Sequence, residues 1–261
     1  MPRDVRLLQL SDPHLFADPN GALRGVNTLE ALRRVLRQVA NRKLGFEAVV
    51  CTGDIVNDEP EGYAHFAREL GALGKPVYCI PGNHDDPARL QQALAAPPFQ
   101  VGGHVDLGAW RLVLLDSCVP GRAGGHVSEA ELQRLEAALT ADGRFAMICV
   151  HHHPVPMASR WLDALGIDNA DALFEVLDAH SQVRLISWGH VHQCFDERRR
   201  GVRLLATPST GAQFLPLAAT FAVDTRPPAY RRLTLRADGT IDTEVLWLDD
   251  LAGAADRASA H

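Results

Sequence analysis

Polar side chains that can bind a metal ion follow five apolar stretches of the sequence. Each stretch has the length and composition of a buried strand and leads directly into Asp, Asn or His. The polar segments are Asp12-Pro13-His14, Gly53-Asp54, Gly82-Asn83-His84, His151 and Gly189-His190-Val191-His192. Carboxylate and amide oxygens mixed with imidazole nitrogens suit Mn²⁺, iron or Zn²⁺, and contain too much nitrogen for Ca²⁺. This donor set predicts a transition-metal centre.

The number of candidate ligands indicates more than one ion. The candidates are Asp12, His14, Asp54, Asn83, His151, His190 and His192. Two ions about 3.5–4 Å apart that share a bridging carboxylate would use all of them. If the backbone stays extended, the two side chains of Asp12-x-His14, and those of His190-x-His192, point to the same side of their strand. We therefore expect each pair to bind one ion or two adjacent ions.

The segment around Asn83 has the form of a strand, a turn and a helix start. An apolar run over 76–80 ends at Pro81-Gly82, and Asp86 followed by Pro87 is typical of a helix N-terminus. The Asn83 amide can bind a metal through its oxygen while its NH₂ group faces an anion such as phosphate. We interpret the remaining histidines as ordinary surface or core residues: His65, His104, His126, His180 and His261.

Hydrophobic periodicity predicts the elements that position these residues. Over the first part of the chain, strands at 5–10, 47–52 and 76–80 alternate with helices at 28–42, capped by Thr28, and 61–73. Such alternation places functional loops at the carboxyl ends of the strands. The later predictions are a hairpin over 105–116, helices at 128–140 and 170–179, and strands at 145–150, 183–187, 194–198, 202–206, 220–223, 230–236 and 240–248. A capping box of Ser128 and Glu131 begins the 128–140 helix. The pattern favours two sheets packed face to face with helices outside.

Composition limits the class of protein. The chain has 261 residues, 46% of them hydrophobic, and a formal net charge of -6, which disfavours nucleic acid as a partner. Cys51, Cys79 and Cys149 lie in apolar runs and predict buried, reduced thiols. The sequence shows no signal-peptide core and no membrane-spanning run. We expect one cytoplasmic domain over 1–250, followed by a flexible tail over 251–261.

The five polar segments together resemble the sequence motifs of the calcineurin-like metallophosphoesterases. The resemblance spans about 5–223 and includes the longer runs Gly53-Asp54-Ile55-Val56-Asn57-Asp58, Gly82-Asn83-His84-Asp85 and His151-His152-His153-Pro154. Further runs are similar to the bacterial class III 3′,5′-cyclic AMP phosphodiesterases, notably Gly25-Val26-Asn27-Thr28, Trp161-Leu162-Asp163 and 204–210. The resemblance implies an α/β (α+β) fold, a four-layer sandwich of two mixed β-sheets flanked by helices.

The resemblance also implies a ligand set for two divalent transition-metal ions, iron and manganese first and zinc as an alternative. Asp12, His14 and His192 would hold one ion and Asn83, His151 and His190 the other, with Asp54 bridging them. His152 and His153 would then be supporting residues.

The implied reaction is hydrolysis of 3′,5′-cyclic AMP to 5′-AMP by in-line attack of a metal-bound hydroxide. Asp54, Asn83 and His84 would be catalytic, with His84 orienting the phosphate or protonating the leaving oxygen. The substrate would contact His14, Asp54, Asn83, His84 and His192. The expected partner is a small cyclic nucleotide bound by a monomer or homodimer, without nucleic acid or membrane.

Three alternatives arise at the level of sequence, and the first of them remains open. A phosphodiesterase of broader specificity, acting on 2′,3′-cyclic nucleotides or glycerophosphodiesters, would use the same motifs, because these motifs recognise the phosphate alone. A metal-free interaction module on the same fold would lack ligands, and none is missing. A DNA nuclease is disfavoured by the net charge of -6 and by the lack of a basic cluster beyond Arg198-Arg199-Arg200.

Overall fold

Two six-stranded sheets dominate the computed structural model, which describes residues 3–248. The strands are β1 Val5–Leu10, β2 Ala22–Leu23, β3 Val26–Asn27, β4 Ala48–Cys51, β5 Val77–Cys79, β6 Phe99–Val101, β7 Gly103–Leu107, β8 Trp110–Leu114, β9 Phe145–Cys149, β10 Val183–Trp188, β11 Phe195–Arg199, β12 Val202–Ala206, β13 Gln213–Phe214, β14 Val223–Asp224, β15 Ala229–Leu235 and β16 Ile241–Trp247. The helices are α1 Thr28–Asn41, α2 Tyr63–Gly71, α3 Pro87–Ala93, α4 Glu129–Thr140, α5 Arg160–Asp163 and α6 Ala170–Asp178, and Pro60–Gly62 forms a 3₁₀ turn.

Both large sheets are mixed. The first has the order β16-β15-β1-β4-β5-β6, in which β1, β4, β5 and β6 are parallel and β15 and β16 antiparallel to their neighbours. The second has the order β11-β12-β10-β9-β8-β7, with a parallel centre of β12, β10, β9 and β8 and an antiparallel strand at each edge. Parallel strands in such sheets are covered on both faces, which explains their continuous apolar sequences.

Three apolar layers hold four layers of secondary structure together. One core lies between the outer face of the first sheet and α1–α3, and another between the outer face of the second sheet and α4 and α6. The third lies between the sheets, where Leu7 of β1 and Leu112 of β8 belong to the same buried cluster. Burial of both faces of each sheet thus gives the predicted four-layer sandwich, and the fold prediction is confirmed.

Most predicted elements are present, with several corrections. Helix α1 is capped by Asn27, whose side chain accepts a hydrogen bond from the Glu30 amide at 2.8 Å, while the predicted cap Thr28 is already helical. Ser128 caps α4, but Glu131 does not complete the capping box, because its carboxylate accepts from the Asp116 amide at 2.9 Å. The strand predicted at 220–223 is reduced to β14, which pairs only with β13. The short elements β2, β3, β6 and α5 were not predicted.

The other expectations from the sequence concern the cysteines, membrane-spanning helices and the C-terminal tail. Cys51, Cys79 and Cys149 are buried and free, as predicted. Among residues 3–248, no helix combines the length and apolar character needed to cross a bilayer. The predicted tail over 251–261, which includes His261, lies outside the described residues.

Candidate metal centre

The predicted ligands converge at one edge of the sandwich, where strands of both sheets end. Asp12, Asp54 and Asn83 follow β1, β4 and β5 of the first sheet, whereas His151 and His190 follow β9 and β10 of the second. The carboxyl ends of neighbouring parallel strands meet at the same edge, and face-to-face packing adds the second sheet's ends to the first's. Every predicted ligand except Asn83 is buried, and Asn83 is half-buried.

The backbone at these positions is not extended, so that expectation is wrong. Asp12 and His14 have φ of 51° and 45°, and His190 and His192 have φ of 64° and 48°. Asp54 also has a left-handed φ, of 49°. Non-glycine residues adopt this conformation at a cost of about 1–3 kcal/mol, and such strain concentrates at functional sites. The Asp12 and His14 side chains still converge despite their left-handed backbone, whereas His190 and His192 reach two different groups of candidate ligands.

The first candidate ligand group is Asp12, His14 and His192. Their donor atoms lie within 4.8 Å of one another, with the two Nε2 atoms of His14 and His192 3.1 Å apart. The Nδ1 atom of His192 donates to the Ala212 carbonyl at 2.7 Å, which leaves Nε2 as the unprotonated nitrogen of a neutral ring. His192 Nε2 is also 3.5 Å from an Asp12 carboxylate oxygen. A carboxylate and unprotonated imidazole nitrogens at these distances could together bind a cation.

The second candidate group brings together His151, Asn83 and His190, with Asp54 beside them. His151 Nε2 is 3.3 Å from the Asn83 amide oxygen and 3.4 Å from an Asp54 carboxylate oxygen. His151 Nδ1 lies 2.7 Å from the Thr52 carbonyl, which can only accept, so Nδ1 carries the proton. Nearby, His190 Nε2 is buried and has no hydrogen-bond partner within residues 3–248, and this ring contacts that of His151. An imidazole lone pair, two oxygens and an orphaned nitrogen again fit a metal ion.

Asp54 lies between the two groups. The same Asp54 oxygen is 3.5 Å from His14 Nε2 and 3.4 Å from His151 Nε2. Burial would raise the pKa of Asp54, but the charge and hydrogen bond of His151, together with the charges of His14 and His84, outweigh burial and hold that pKa well below its usual range. Burial likewise lowers the pKa of His151, yet Asp54 raises it overall to about 9. The site therefore favours positive charge beside Asp54, which is the electrostatic requirement for binding cations.

Three other imidazoles are held neutral. Burial lowers the pKa of His14 to about 4, and it lowers those of His190 and His192 well below the usual range. Burial also raises the pKa of Asp12, to about 7, although the His190 amide donates to its carboxylate at 2.9 Å. Neutral imidazoles are the form that binds metals, since a protonated ring has no free lone pair.

Close approach of the loops requires glycine at two positions. A Cβ atom on Gly82 would overlap the Asp54 carboxylate, and one on Gly189 would overlap Ser11 Oγ. Asp85 fastens the Gly82 loop, because its buried carboxylate accepts from the amides of Gly82 at 2.9 Å and Ile55 at 3.0 Å. The glycines and Asp85 thereby bring the Asn83 and Asp54 loops into contact.

A ring nitrogen of His84 lies within 4.8 Å of donor atoms of His14 and Asp54, and a carboxylate that is not a candidate ligand also contacts this ring. The His84 amide donates to Asp54 at 2.9 Å, and the Nδ1 atom of the ring lies 3.0 Å from the Asp58 carboxylate. Burial lowers the pKa of His84, but Asp54 and Asp58 raise it overall. The His84 ring packs edge-on against the ring of His14, at a centroid distance of 5.0 Å. An imidazole whose pKa is raised beside a candidate metal centre suits an acid or an anion-binding group.

His152 and His153 occupy different positions from His151. His152 falls within 4.8 Å of His151 and His190 as a group, but its Nδ1 atom lies 2.8 Å from Ser117 Oγ. His153 packs face-on against His190 at 5.7 Å. The contacts of His151 with Asn83 and Asp54 make it the better candidate ligand among the three. The histidines set aside as ordinary contact other elements: for example, His126 pairs with Asp168 and His180 with Glu136.

Sequence reasoning missed two residues that shape the site. Asp58 lies in the run that follows Asp54, and its position four residues after this carboxylate is the signal that could have marked it. The other is Phe214, whose ring stacks on that of His192 at a centroid distance of 4.0 Å and an angle of 6°. No local pattern marked Phe214, because the contact joins the loop after β10 to β13.

Comparison with known proteins agrees with this geometry. The sequence profile of the family described as calcineurin-like phosphoesterase matches residues 5–194. The chain is 39% identical over 258 residues to the 3′,5′-cyclic adenosine monophosphate phosphodiesterase CpdA of Pseudomonas aeruginosa, covering 98% of this chain and 94% of that protein. It is 40% identical to the protein of the same name from Escherichia coli (strain K12), also over 98% of this chain and 94% of that protein.

Solved structures share the fold at low identity. A dimetal phosphatase from Danio rerio superimposes with a TM-score of 0.65 at 16% identity, covering 95% of this chain and 100% of that chain. The strand-end site, the profile match over most of the chain and the two relatives lead to one conclusion: this chain belongs to the calcineurin-like phosphoesterase family.

Proposed function

We propose that this protein is a two-metal phosphodiesterase that hydrolyses 3′,5′-cyclic AMP to 5′-AMP. One observation supports the proposal: seven side chains of types that can bind a metal meet in a single site, in a chain 39% identical to a protein named as a cyclic AMP phosphodiesterase. Similarity to the named cyclic AMP phosphodiesterases supports the choice of substrate. The Asp, Asn and His donor groups support the binding of metal ions.

The two ligand groups suggest how the ions are held. Asp12, His14 and His192 would hold one ion, Asn83, His151 and His190 the other, and the Asp54 carboxylate would bridge them. This mixture of imidazole and oxygen donors suits iron and manganese, and also zinc. The support is geometric, since Asp54 is within 3.5 Å of a histidine from each group.

The chemistry follows from charge and position. When bound, two such ions lower the pKa of a water molecule so that it can attack phosphorus near neutral pH, and they offset charge on the phosphoryl oxygens. The Asn83 NH₂ group is available to donate to a phosphoryl oxygen while its carbonyl oxygen faces His151. The substrate phosphate would contact His14, His192 and Asp54.

We assign His84 to the leaving group, which lies on the side of phosphorus opposite the attacking water. As the water oxygen bonds to phosphorus, the bond from phosphorus to the 3′-oxygen breaks, and that oxygen must gain a proton. His84 can donate the proton from Nε2, because Asp58 engages Nδ1 at 3.0 Å. The product is 5′-AMP, and no covalent enzyme intermediate is needed.

A substrate panel tests this function against its closest alternative. Protein loaded with Mn²⁺ is assayed with 3′,5′-cyclic AMP, 3′,5′-cyclic GMP, 2′,3′-cyclic AMP and glycerophosphocholine. We expect the highest kcat/KM on a 3′,5′-cyclic nucleotide and no turnover after chelation. A higher kcat/KM on 2′,3′-cyclic AMP or glycerophosphocholine would replace the proposal with a phosphodiesterase of broader specificity.

The Asp58–His84 pair predicts a change in pH dependence. An acid catalyst loses activity as pH rises through its pKa, and Asp58 contributes to raising that pKa. Asp58→Asn should lower the pKa of His84, so the alkaline limb of kcat/KM for cyclic AMP should move to lower pH. The measurement is a pH–rate profile with saturating Mn²⁺.

Two variants serve as controls for this shift. Asp58→Glu should restore part of the wild-type profile, because it keeps the carboxylate. Glu61→Gln removes one negative charge from the neighbouring exposed turn and should leave the limb in place. An unchanged limb in Asp58→Asn would show that this carboxylate does not tune the acid.

A further inference from the structure

Three aromatic side chains form a cluster beside the candidate metal centre. Phe214 of β13 and Phe221 of the following loop are 5.2 Å apart at 72°. Trp161 of α5 meets both rings nearly edge-on, at 5.5 Å from Phe214 and 5.2 Å from Phe221. Edge-to-face contacts of this kind fix ring orientations and are favourable beyond simple burial. The three rings therefore form an ordered surface rather than a loose apolar loop.

The cluster packs directly against a proposed metal ligand. Phe214 stacks face-on with His192, whose Nε2 atom lies 3.1 Å from His14 Nε2 in the first ligand group. The next ring outward from Phe214 is Phe221.

The outer part of the cluster is exposed to solvent. Phe221 is 40% exposed, and the other exposed large apolar residues among residues 3–248 all lie in the same segment: Leu215, Leu217 and Val223. Scattered exposed apolar residues are ordinary, but a contiguous group at the rim of a polar site is typical of ligand binding. Arg24 extends the surface from another loop, with its guanidinium 4.7 Å from the centre of the Phe221 ring.

We propose that Phe221, supported by Phe214 and Trp161 and flanked by Arg24, binds the nucleobase of the substrate; this inference rests on the proposed function. A base is planar and aromatic, so it can stack on a phenyl ring and on a guanidinium plane. Phe221 contacts Phe214, which in turn stacks on His192, so we place the base on Phe221 and the phosphate near His192. Because stacking grows with ring area, we infer a preference for purine over pyrimidine cyclic nucleotides.

Binding of the reaction product separates this role from catalysis. Calorimetric titration of Mn²⁺-loaded protein compares 5′-AMP with ribose 5-phosphate, which carries the same phosphate and sugar but no base. The wild type should bind 5′-AMP more tightly. Phe221→Ala should weaken 5′-AMP binding about ten-fold, the usual order of a lost base–aromatic stack, and leave ribose 5-phosphate binding unchanged.

Matched variants and a substrate without a base complete the design. Phe221→Tyr keeps the ring and should retain 5′-AMP affinity. Leu217→Ala removes a more exposed apolar side chain from the same loop, outside the aromatic cluster, and should change neither ligand. Hydrolysis of methyl p-nitrophenyl phosphate by Phe221→Ala should equal that of the wild type, while KM for cyclic AMP rises and kcat is retained.

The outcomes distinguish this inference from the proposed function. If the wild type does not hydrolyse cyclic AMP but Phe221→Ala still loses 5′-AMP affinity selectively, the base site stands and the proposed function falls. If cyclic AMP is hydrolysed and Phe221→Ala binds 5′-AMP like the wild type, the base site is overturned. Equal weakening of 5′-AMP and ribose 5-phosphate would also overturn it, as would a wild-type dimer that Phe221→Ala and Leu217→Ala both dissociate.

Discussion

Replacing Asp54 with asparagine is expected to lower kcat/KM for cyclic AMP on the order of 10³-fold. Asp54 is the carboxylate within 3.5 Å of histidines from both ligand groups, so the change removes the negative charge that the two proposed ions share. Two-metal sites supply several kcal/mol of transition-state stabilisation, and each 1.36 kcal/mol is ten-fold in rate. The asparagine oxygen can still accept from the His84 amide, which the Asp54 carboxylate does at 2.9 Å.

Metal content measured on the same samples shows whether the loss of activity comes from the loss of a metal ion. After loading and desalting, the wild type should retain about two ions per chain, and Asp54→Asn should retain fewer. Asn83→Ala is the graded comparison: it should lose mainly one ion and recover activity with more added Mn²⁺, because an amide oxygen is a weaker ligand than a carboxylate. Full metal content together with wild-type activity in Asp54→Asn would remove this residue from the centre.

Residue type and order were sufficient to predict the fold and to nominate the ligands. Apolar runs that end in Asp, Asn or His predict strands whose ends carry polar groups, and the parallel topology then brings those ends together. The donor chemistry is also readable, because only certain side chains bind transition metals. The Asp12, Asp54 and His151 donor atoms, from three separate strand ends, indeed lie within 4.8 Å of one another.

Backbone conformation at the site was not predictable from sequence. Asp12, His14, Asp54, His190 and His192 all have positive φ, although none is glycine. Their local preference is for other conformations, so the surrounding tertiary contacts must impose this one. One such contact is the hydrogen bond from the His190 amide to Asp12, across 178 positions of sequence. The stacking of Phe214 on His192 depends on tertiary packing in the same way.

His84→Ala should lower the rate of cyclic AMP hydrolysis on the order of 10²–10⁴-fold while leaving the metal content unchanged. The leaving 3′-oxygen is an alkoxide and a poor leaving group, so loss of a positioned acid should be costly. Asp54 and Asp58 raise the pKa of His84 against the effect of burial, which favours the protonated form that such an acid requires. The Nδ1 atom of His84 contacts Asp58, which is not a proposed ligand, so removal of the imidazole should leave the metal ions bound.

A leaving group that needs no proton separates acid catalysis from phosphate positioning. Bis(p-nitrophenyl) phosphate releases a stable phenolate, so His84→Ala should retain much more of its activity on this diester than on cyclic AMP. His65→Ala is the matched control, because this imidazole lies on α2 and contacts the Ala17 carbonyl. Equal losses on both substrates with two ions bound would instead assign His84 to holding the phosphate. A loss of metal in His84→Ala would mean that this imidazole, 5.0 Å from the His14 ring, supports the ligands themselves.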